Sequence, residues 1–285
     1  MAATLRLFDS LGLPYAGGLG NIEASEEIKR IGGYLVIPAA GRRDLISPRI
    51  PLTLPAGAAP EIRAGHAGTA FYRAASASNN GYRFGAALGL NRGSLVVILR
   101  ADAVPSAATF SGIGGQYFTV GWSHTNASFR GAAYVRRFSG GYTTASFGTL
   151  NANTVYCLAV HYDGVVTAKL SSIKNGSVAA EASANGEVFA STENIGTNQV
   201  AAQGYTFGGD VYAIWQCNDF VPLELLKSIT KSPAAFFEFA TEPRSVYLPI
   251  PAAAAGYTHP TLSAATATEI GTTSFKPRVT YTFPS

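Results

Sequence analysis

The chain has 285 residues and a formal net charge of +4, and charged residues make up 13% of it against 47% hydrophobic residues. This length suits one large β domain with appendages or two small domains. The charged fraction is about half the usual one, so much of the surface must be neutral, which favours permanent packing against other subunits. The basic pairs are scattered, so we expect no nucleic-acid partner, because such a partner needs clustered phosphate contacts.

The sequence carries no sign of a targeting or membrane segment. Its N-terminal residues lack a basic segment followed by an unbroken apolar stretch, and no run approaches the roughly 18 apolar residues of a membrane span. We therefore expect the protein to make no contact with a membrane and to be assembled in a cytosol.

The two cysteines, Cys157 and Cys217, stand 60 positions apart in apolar runs. That spacing fits neither a disulfide framework nor a metal site, so both are expected to be buried free thiols.

Residues 1–60 are broken by glycines and prolines into short apolar pieces such as LRLF and YLVIP. Such frequent breakers prevent long elements, so we predict an extended N-terminal arm that lies either on its own domain or on another subunit. One short helix is predicted over Ala24–Ile31, and Gly32-Gly33 ends it.

From about Phe71 to Trp215, short apolar or β-branched runs alternate with clusters of Gly, Asn, Asp and Ser. Many short strands with almost no helix indicate an antiparallel β-sandwich or a barrel. Ser139-Gly140-Gly141 and Lys174-Asn175-Gly176 have the chemistry of hairpin turns. The predicted strands are Thr69–Tyr72, Gly81–Phe84, Ser94–Arg100, Gln116–Ser123, Arg130–Phe138, Gly141–Phe147, Thr154–Tyr162, Val165–Ile173, Ser177–Ala182, Gly204–Phe207 and Asp210–Cys217.

The run NTVYCLAVHYDG, residues 153–164, is predicted to be a core strand that ends in an Asp-Gly turn. Alternation divides its residues between two faces. The face toward the sandwich core holds Tyr156, Leu158, Val160 and Tyr162. The other face, with Val155, Cys157, Ala159 and His161, is small and semi-polar, and it is expected to lie against a further layer or a partner. His161 is predicted to be a half-exposed cross-strand residue.

Two helices are predicted after the last strand of the sandwich. PLELLKSI begins at Pro222 and carries an apolar stripe, and Ser232-Pro233 supplies a cap and a first-turn proline ahead of AAFFEF. SVYLPIP then returns to an extended form and AAAAG is a linker. A final strand is predicted over Arg278–Phe283.

Three motifs, taken in their order along the chain, resemble those of a laminin G-like, or concanavalin A-like, jelly roll. They are NTVYCLAVHYDG, then SSIKNGSVAAEA, then GGDVYAIWQCNDFVPLELLKSI, and the resemblance covers roughly residues 65–231. It implies an all-β antiparallel jelly-roll sandwich. We therefore divide the chain into an arm (1–60), a sandwich (61–250) and a linker with a C-terminal strand for assembly contacts (251–285).

The segment KSPAAFFEFATEPRSVYLPIP and the terminal SFKPRVTYTF resemble tails attached to such domains in phage and prophage proteins. Ser232-Pro233-Ala234 stands where those tails have Asn-Pro-Trp, while Phe237, Arg244 and Tyr247-Leu248-Pro249 remain. The resemblance implies a non-enzymatic virion structural protein, either a capsid decoration or a tail component. Its partners would be other virion proteins and further copies of itself, joined by strand donation. It would be located in the virion, after assembly in the host cytoplasm.

No catalytic, cofactor-binding or metal-binding residues are predicted. Gly-x-Ser-x-Gly and the phosphate-cradling motifs are absent, and the histidines at 66, 124, 161 and 259 form no recognisable constellation. Glycosidases of this superfamily need paired carboxylates. The recurring acids Glu181, Glu187 and Glu193 are instead expected on a solvated loop.

The sequence leaves two ligands open, a calcium ion and a glycan. Some laminin G-like domains bind calcium at the sandwich rim, and Asp163, Asp210 and Asp219 are the available acids, although each stands beside a turn where it can cap the backbone. A glycan is the alternative, in which the chain is a carbohydrate-binding module for host-surface recognition. An exposed aromatic platform would then use Trp122, Tyr142, Tyr117 and Asn126, although a sandwich core also consumes aromatic residues.

Overall fold

The structure is a computed structural model that describes residues 22–41, 43–47, 61–66, 68–73, 92–102, 110–114, 118–125, 128–136, 142–163, 169–183, 209–217 and 221–243. Its strands are β1 (Ile22–Ala24), β2 (Tyr34–Val36), β3 (Glu61–Gly65), β4 (Gly68–Arg73), β5 (Arg92–Ala101), β6 (Phe110–Gly114), β7 (Phe118–Thr125), β8 (Ser128–Arg136), β9 (Tyr142–Thr149), β10 (Val155–Asp163), β11 (Lys169–Lys174), β12 (Ser177–Ser183), β13 (Gly209–Cys217) and β14 (Thr241–Pro243). The helices are α1 (Glu26–Ile31), α2 (Leu223–Ile229) and α3 (Pro233–Ala240), with a 3-10 turn at Pro38–Ala40. Of β6, β7 and β8 the structure describes the backbone.

An antiparallel eight-stranded sheet forms the middle of the fold. Its order is β12-β11-β10-β5-β13-β4-β3, and β2 also pairs with β13. The inner strands are continuous apolar runs, such as LVVIL in β5 and VYAIW in β13, which is the composition of strands covered on both faces. Every residue of β13 is buried.

A second antiparallel sheet, β6-β7-β8-β9, covers one face of the central sheet. The core between the two sheets brings Phe147 of β9 against Leu99 of β5 and Val211 of β13. The four residues of β10 that alternation predicted for this core, Tyr156, Leu158, Val160 and Tyr162, all lie in it. The predicted antiparallel β-sandwich is therefore confirmed.

Helices cover the other face of the central sheet. Cys157 and Ala159 of β10 lie there in a second core with Trp215 of β13, Leu226 of α2 and Phe236 of α3. Burial of each large side chain of this kind stabilises the fold by about 1.5–3 kcal/mol. The second face of β10 was predicted to lie against a further layer or a partner, and the layer consists of the chain's own helices. Both helices after the last core strand were also predicted.

Part of the segment predicted as an arm, residues 22–47, lies on its own domain. β2 pairs with β13, with Leu35 opposite Trp215, and β1 pairs with β14. Ser25 accepts the backbone N–H of Ile28 as the cap of α1 and donates its hydroxyl to the carbonyl of Phe239 in α3. This placement is one of the two that the sequence left open.

The hairpin turn between β11 and β12 follows its prediction. Asn175 and Gly176 both have positive φ, 48° and 79°, as a two-residue turn of type I′ requires. The predicted strands Gly81–Phe84, Gly204–Phe207 and Arg278–Phe283 lie outside the described residues, as does the boundary predicted at residue 250. Among the described helices, none has the length and apolarity that crossing a membrane demands.

Candidate functional site

One face of β9 is open to solvent. Thr144 and Ser146 are exposed, whereas the residues that alternate with them, Thr143, Ala145 and Phe147, are buried. This is the period-2 pattern of a strand that covers a core on one side only. The four-stranded sheet therefore presents a solvent face that carries hydroxyl groups.

The pairing register extends this face across the other strands of the sheet, because paired residues of an antiparallel sheet share a face. We call the positions on this side of β6 to β9 the outer face. Two adjacent rows of it are Ser146-Ala132-Gly121-Gly112 and Thr144-Tyr134-Thr119-Gly114. Arg136 opposite Tyr142, and Arg130 opposite Thr149, also occupy outer-face positions. The first row consists of small residues over three interstrand steps, or about 14 Å.

The register separates the residues predicted to form an aromatic platform. Val120 pairs with Ala133, which pairs with the buried Ala145. Trp122 follows two positions after Val120 and therefore takes a position on the core side of the sheet, away from Tyr142. Tyr117 and Asn126 lie outside the described residues. Sequence reasoning missed Tyr134 and Arg136, although the alternation in SFRGAAYVR puts both on one face with Arg130.

His161 is buried, with 8% of its surface exposed, so its prediction as a half-exposed residue was wrong. The helix layer and the segment that leads into α2 cover it. Burial lowers the pKa of the His161 imidazole, and a hydrogen bond with the backbone of Val221 opposes that change, as do the charges of Asp163 and Glu181. Folding therefore favours the neutral ring.

His161 stands in a polar row on the helix side of the central sheet. Its neighbours in the register are Ser171 and Ser94, and Ser94 lies opposite Cys217. Ser171 is 2% exposed and Ser94 is 0% exposed. A histidine between two serines has the groups of a nucleophile site, but neither hydroxyl reaches solvent. These residues are therefore structural parts of the buried face between the central sheet and the helices.

Both cysteines are free and buried, as predicted. Burial raises the pKa of the Cys157 thiol to about 12, so the reactive thiolate is suppressed at neutral pH. The backbone N–H of Cys157 donates to Oδ1 of Asn175, which ties the middle of β10 to the β11–β12 turn. Cys157 therefore acts as a core residue.

Asp210 is the centre of a buried ionic cluster at the start of β13, where it is 1% exposed. Its Oδ2 accepts the backbone N–H of His66 and the hydroxyl of Tyr212, each at 3.1 Å. The guanidinium groups of Arg63 and Arg100 lie 3.5 and 3.6 Å from its carboxylate oxygens. Two cations compensate the buried charge, and the cluster joins the β3–β4 hairpin to β5 and β13.

The acids considered for calcium do not come together. Asp163 lies opposite Arg92 and Asp210 opposite Arg100, which places them about 26 Å apart along β5. Asp219 lies outside the described residues. Within the described ranges, no three His, Cys, Asp or Glu side chains are grouped as a metal site requires.

The remaining candidates are also separated. Glu181 was expected on a loop, but it lies on β12, where its carboxylate pairs with Lys169 at 3.0 Å. The strand continues through it because Ser171 of β11 is its register partner. His66 is exposed in the turn after β3, and His124 is on β7. Glu187, Glu193 and His259 lie outside the described residues.

Comparison with solved structures shows the fold. Domain 4 of AbnA, an extracellular GH43 arabinanase from Geobacillus stearothermophilus in complex with arabinotriose, has a TM-score of 0.51 at 11% identity, with 73% of this chain and 98% of that chain covered. The binding domain of botulinum neurotoxin serotype G also reaches 0.51 at 11% identity, with 70% and 50% covered. A SAP-like pentraxin from Limulus polyphemus has a TM-score of 0.43 at 10% identity, with 53% and 75% covered.

No protein-family model matches the chain, and no curated protein sequence matches it either. At these identities the structural likeness concerns the fold alone, which is an antiparallel jelly-roll-like β-sandwich.

Proposed function

We propose that the chain is a non-catalytic carbohydrate-binding module whose outer face takes an extended oligosaccharide. The observation that carries this proposal is the row of small residues across all four strands of the second sheet, from Ser146 to Gly112. Bulky side chains in that row would prevent a sugar chain from lying flat on the sheet. Glycines and one alanine leave the space open.

The residue types beside this row suit a sugar. Thr144 and Ser146 are exposed, and their hydroxyl groups can both donate and accept hydrogen bonds. Tyr134 and Tyr142 occupy outer-face positions by register, and tyrosine is a residue type that can stack on the apolar face of a pyranose or furanose. The arabinotriose bound to the arabinanase domain of similar fold supports this class of ligand.

A binding role without catalysis is favoured by the composition of the four strands. Glycoside hydrolysis canonically needs two carboxyl groups, about 5–9.5 Å apart, beside the scissile bond. The strands β6 to β9 read FSGIG, FTVGWSHT, SFRGAAYVR and YTTASFGT, and they contain no Asp or Glu. A sugar on the outer face would meet no carboxylate from these strands.

The proposal is tested by placing a bulky side chain on the row of small residues. Glycan-array screening of the full chain identifies a bound oligosaccharide, and calorimetry then compares two variants with the parent chain. Ser146→Phe places a ring at the β9 end of the row, where it also removes an exposed hydroxyl group, and is expected to abolish binding. Ser228→Phe places the same ring on an exposed position of α2, in the helix layer, and is expected to leave binding unchanged. Array binding that survives Ser146→Phe would move the site elsewhere, and binding to no glycan would end the proposal.

The virion role stays a prediction, since none of the comparisons concerns it. Among the described residues, Val178 is the one large hydrophobic residue that is exposed, so the low charge does not require an apolar surface covered by other subunits. The apolar residues of the central sheet are buried on both faces by other parts of the same chain. Deletion of residues 260–285 tests strand donation: assembly into particles or oligomers should be lost, and a truncated chain that assembles normally contradicts it.

A further inference from the structure

The four strands of the outer face come from a segment of unusual charge. From Ala103 to Tyr162 the sequence contains no Asp or Glu, while it contains three arginines, at 130, 136 and 137. Two of these, Arg130 and Arg136, occupy outer-face positions by register. The face therefore carries positive charge and no carboxylate.

Lys174 adds a cation at the edge of the same face. Its Nζ donates to the carbonyl oxygen of Thr149 at 3.4 Å, at the end of β9. It also lies 3.6 Å from the position that a Cβ on Gly148 would take. Gly148 and Thr149 are both exposed, so the ammonium group lies beside the exposed end of β9.

The helix layer and β14, on the other side of the central sheet, carry charges of both signs. Glu238 and Glu242 are exposed there, while Glu26 and Glu224 pair with Lys29 and Lys227. The outer face differs in having cations and no carboxylate on its strands, and this difference favours the approach of an anionic ligand to the outer face, because the potential of the summed charges steers association. It would give no such guidance to a neutral ligand.

We propose that the ligand is an acidic oligosaccharide, one that bears carboxylate or sulfate groups, and this inference rests on the proposed glycan-binding function. A guanidinium group donates two parallel hydrogen bonds to a carboxylate or sulfate, and these bonds are about twice as strong as bonds between neutral groups. Neutral sugar hydroxyls are bound well by carboxylate acceptors, and the strands of this face supply none. Arg130, Arg136 and Lys174 select the charged sugar.

The experiment uses the full chain on an array that holds neutral, sialylated, uronate-containing and sulfated glycans. Binding confined to acidic glycans is expected. The strongest acidic glycan is then compared with its carboxyl-reduced or desulfated counterpart, for which we expect at least tenfold weaker binding. Equal binding of the two, or a preference for neutral glycans, would overturn the inference and leave the glycan-binding function standing. Binding to no glycan would overturn both.

Matched charge variants locate the selectivity. Arg136→Gln is expected to weaken binding of the acidic glycan about tenfold, the loss of one charged hydrogen-bonded contact, and to leave binding of its neutral counterpart nearly unchanged. Arg30→Gln removes the same charge from α1 in the helix layer and is expected to have no such effect. If both variants weaken binding equally, net charge and not the outer face is responsible, and the inference fails. Raising the salt concentration should weaken the parent chain more than Arg136→Gln.

Discussion

Asp210 shows how a charged side chain is held inside an apolar sheet. A buried carboxylate without partners is strongly unfavourable. Two guanidinium groups, a hydroxyl group and a backbone N–H stabilise this one. Its partners come from the turn after β3, from β3 itself, from β5 and from β13. The sequence indicated an acid beside a turn, but pairing over such distances along the chain cannot be derived from local pattern.

Replacement of Asp210 by alanine should therefore be severely destabilising. It removes the acceptor of the His66 N–H and of the Tyr212 hydroxyl, and it removes the carboxylate beside Arg63 and Arg100, although Arg100 keeps Asp102 at 2.6 Å. The loss in the free energy of unfolding should be about 3 kcal/mol. The control is Glu224→Ala, which removes an exposed partner of Lys227 and should change stability by less than about 1 kcal/mol. Urea denaturation of both variants measures the difference, and similar losses in the two would show that the cluster contributes little.

His161 should make the stability of the fold depend on pH. Burial lowers its pKa below the ordinary value of 6.5, so below about pH 6.5 the unfolded chain binds more protons than the folded chain. The full contribution of the neutral ring is present above pH 6.5, and it is lost as the pH falls toward the folded-state pKa. The free energy of unfolding, measured in urea between pH 8 and pH 5, should decrease over the acidic part of this range.

A pair of histidine variants identifies the group responsible. His161→Gln should flatten the decrease below pH 6.5, because glutamine keeps a hydrogen-bond donor near Val221 but does not titrate. His66→Gln changes an exposed histidine and should leave the decrease as it is in the parent chain. A decrease that persists in full after His161→Gln would assign the pH dependence to other groups.

At the scale of the elements, the contact of β2 with β13 depends on a close backbone approach. A Cβ on Gly33 would lie 1.9 Å from the carbonyl oxygen of Gln216, whereas a Cβ on Gly32 would meet nothing within 4 Å. Both residues have positive φ, 94° and 84°, and the ψ of −164° at Gly32 belongs to a region that essentially only glycine adopts, so alanine is strained at either position by about 1–3 kcal/mol. The two glycines that were predicted to end a helix thus have different further roles.

The pair Gly33→Ala and Gly32→Ala separates steric clash from backbone strain. Gly32→Ala should lower the melting temperature by several degrees, as strain of about 1–3 kcal/mol predicts. Gly33→Ala should lower it much further, because β2 must move away from β13 and expose Leu35 and Trp215. Thermal unfolding followed by circular dichroism measures both, and equal shifts in the two variants would mean that β2 adapts without losing its pairing.

The sequence predicted the elements whose apolar pattern or turn chemistry is strong. The apolar runs of β5, β10 and β13 and the hairpin of β11 with β12 were predicted, and so were all three helices. The short strands β1, β2 and β14 were not, because three residues give no periodicity and β1 pairs with a strand more than 200 positions away. The strands β3 and β6 were missed as well, although their partners β4 and β7 follow them directly, because each has only five residues and glycine among them weakens the strand pattern. The outer face was missed for a different reason. Its alternation is present in the sequence, but exposed and core faces cannot be distinguished until the register and burial of β9 are known.

At the scale of the whole molecule, the layers explain the composition. A sheet covered on one face needs alternating polar residues, whereas this central sheet is covered by a second sheet and by helices. Its strands are therefore apolar on both sides, which accounts for a high hydrophobic fraction and few charges. The same composition had favoured packing against other subunits. Three layers within one chain satisfy it without a partner.

The N-terminal segment should therefore be required for folding. Ile28, Leu35 and Ile37 are almost completely buried in the second core, and β2 supplies a pairing partner for β13. Deletion of residues 1–47 removes these contacts, each large side chain contributing about 1.5–3 kcal/mol. Their sum is comparable with the roughly 5–15 kcal/mol by which a typical domain is stable, and the loss of the pairing of β2 with β13 adds to it. The truncated chain should be unfolded or aggregated, as measured by thermal denaturation, gel filtration and dye binding to exposed apolar surface.

Deletion of residues 260–285 is the matched control at the other end of the chain. Among the residues that the structure describes, it removes none from the two cores or from the strands, so the cooperative unfolding transition should remain. A chain without residues 1–47 that still unfolds cooperatively near the parent melting temperature would show that this segment is an accessory arm. In that case α2 and α3 alone would cover this face of the central sheet. Trp215 would still be stabilised by Phe239, whose ring centre lies 6.2 Å away.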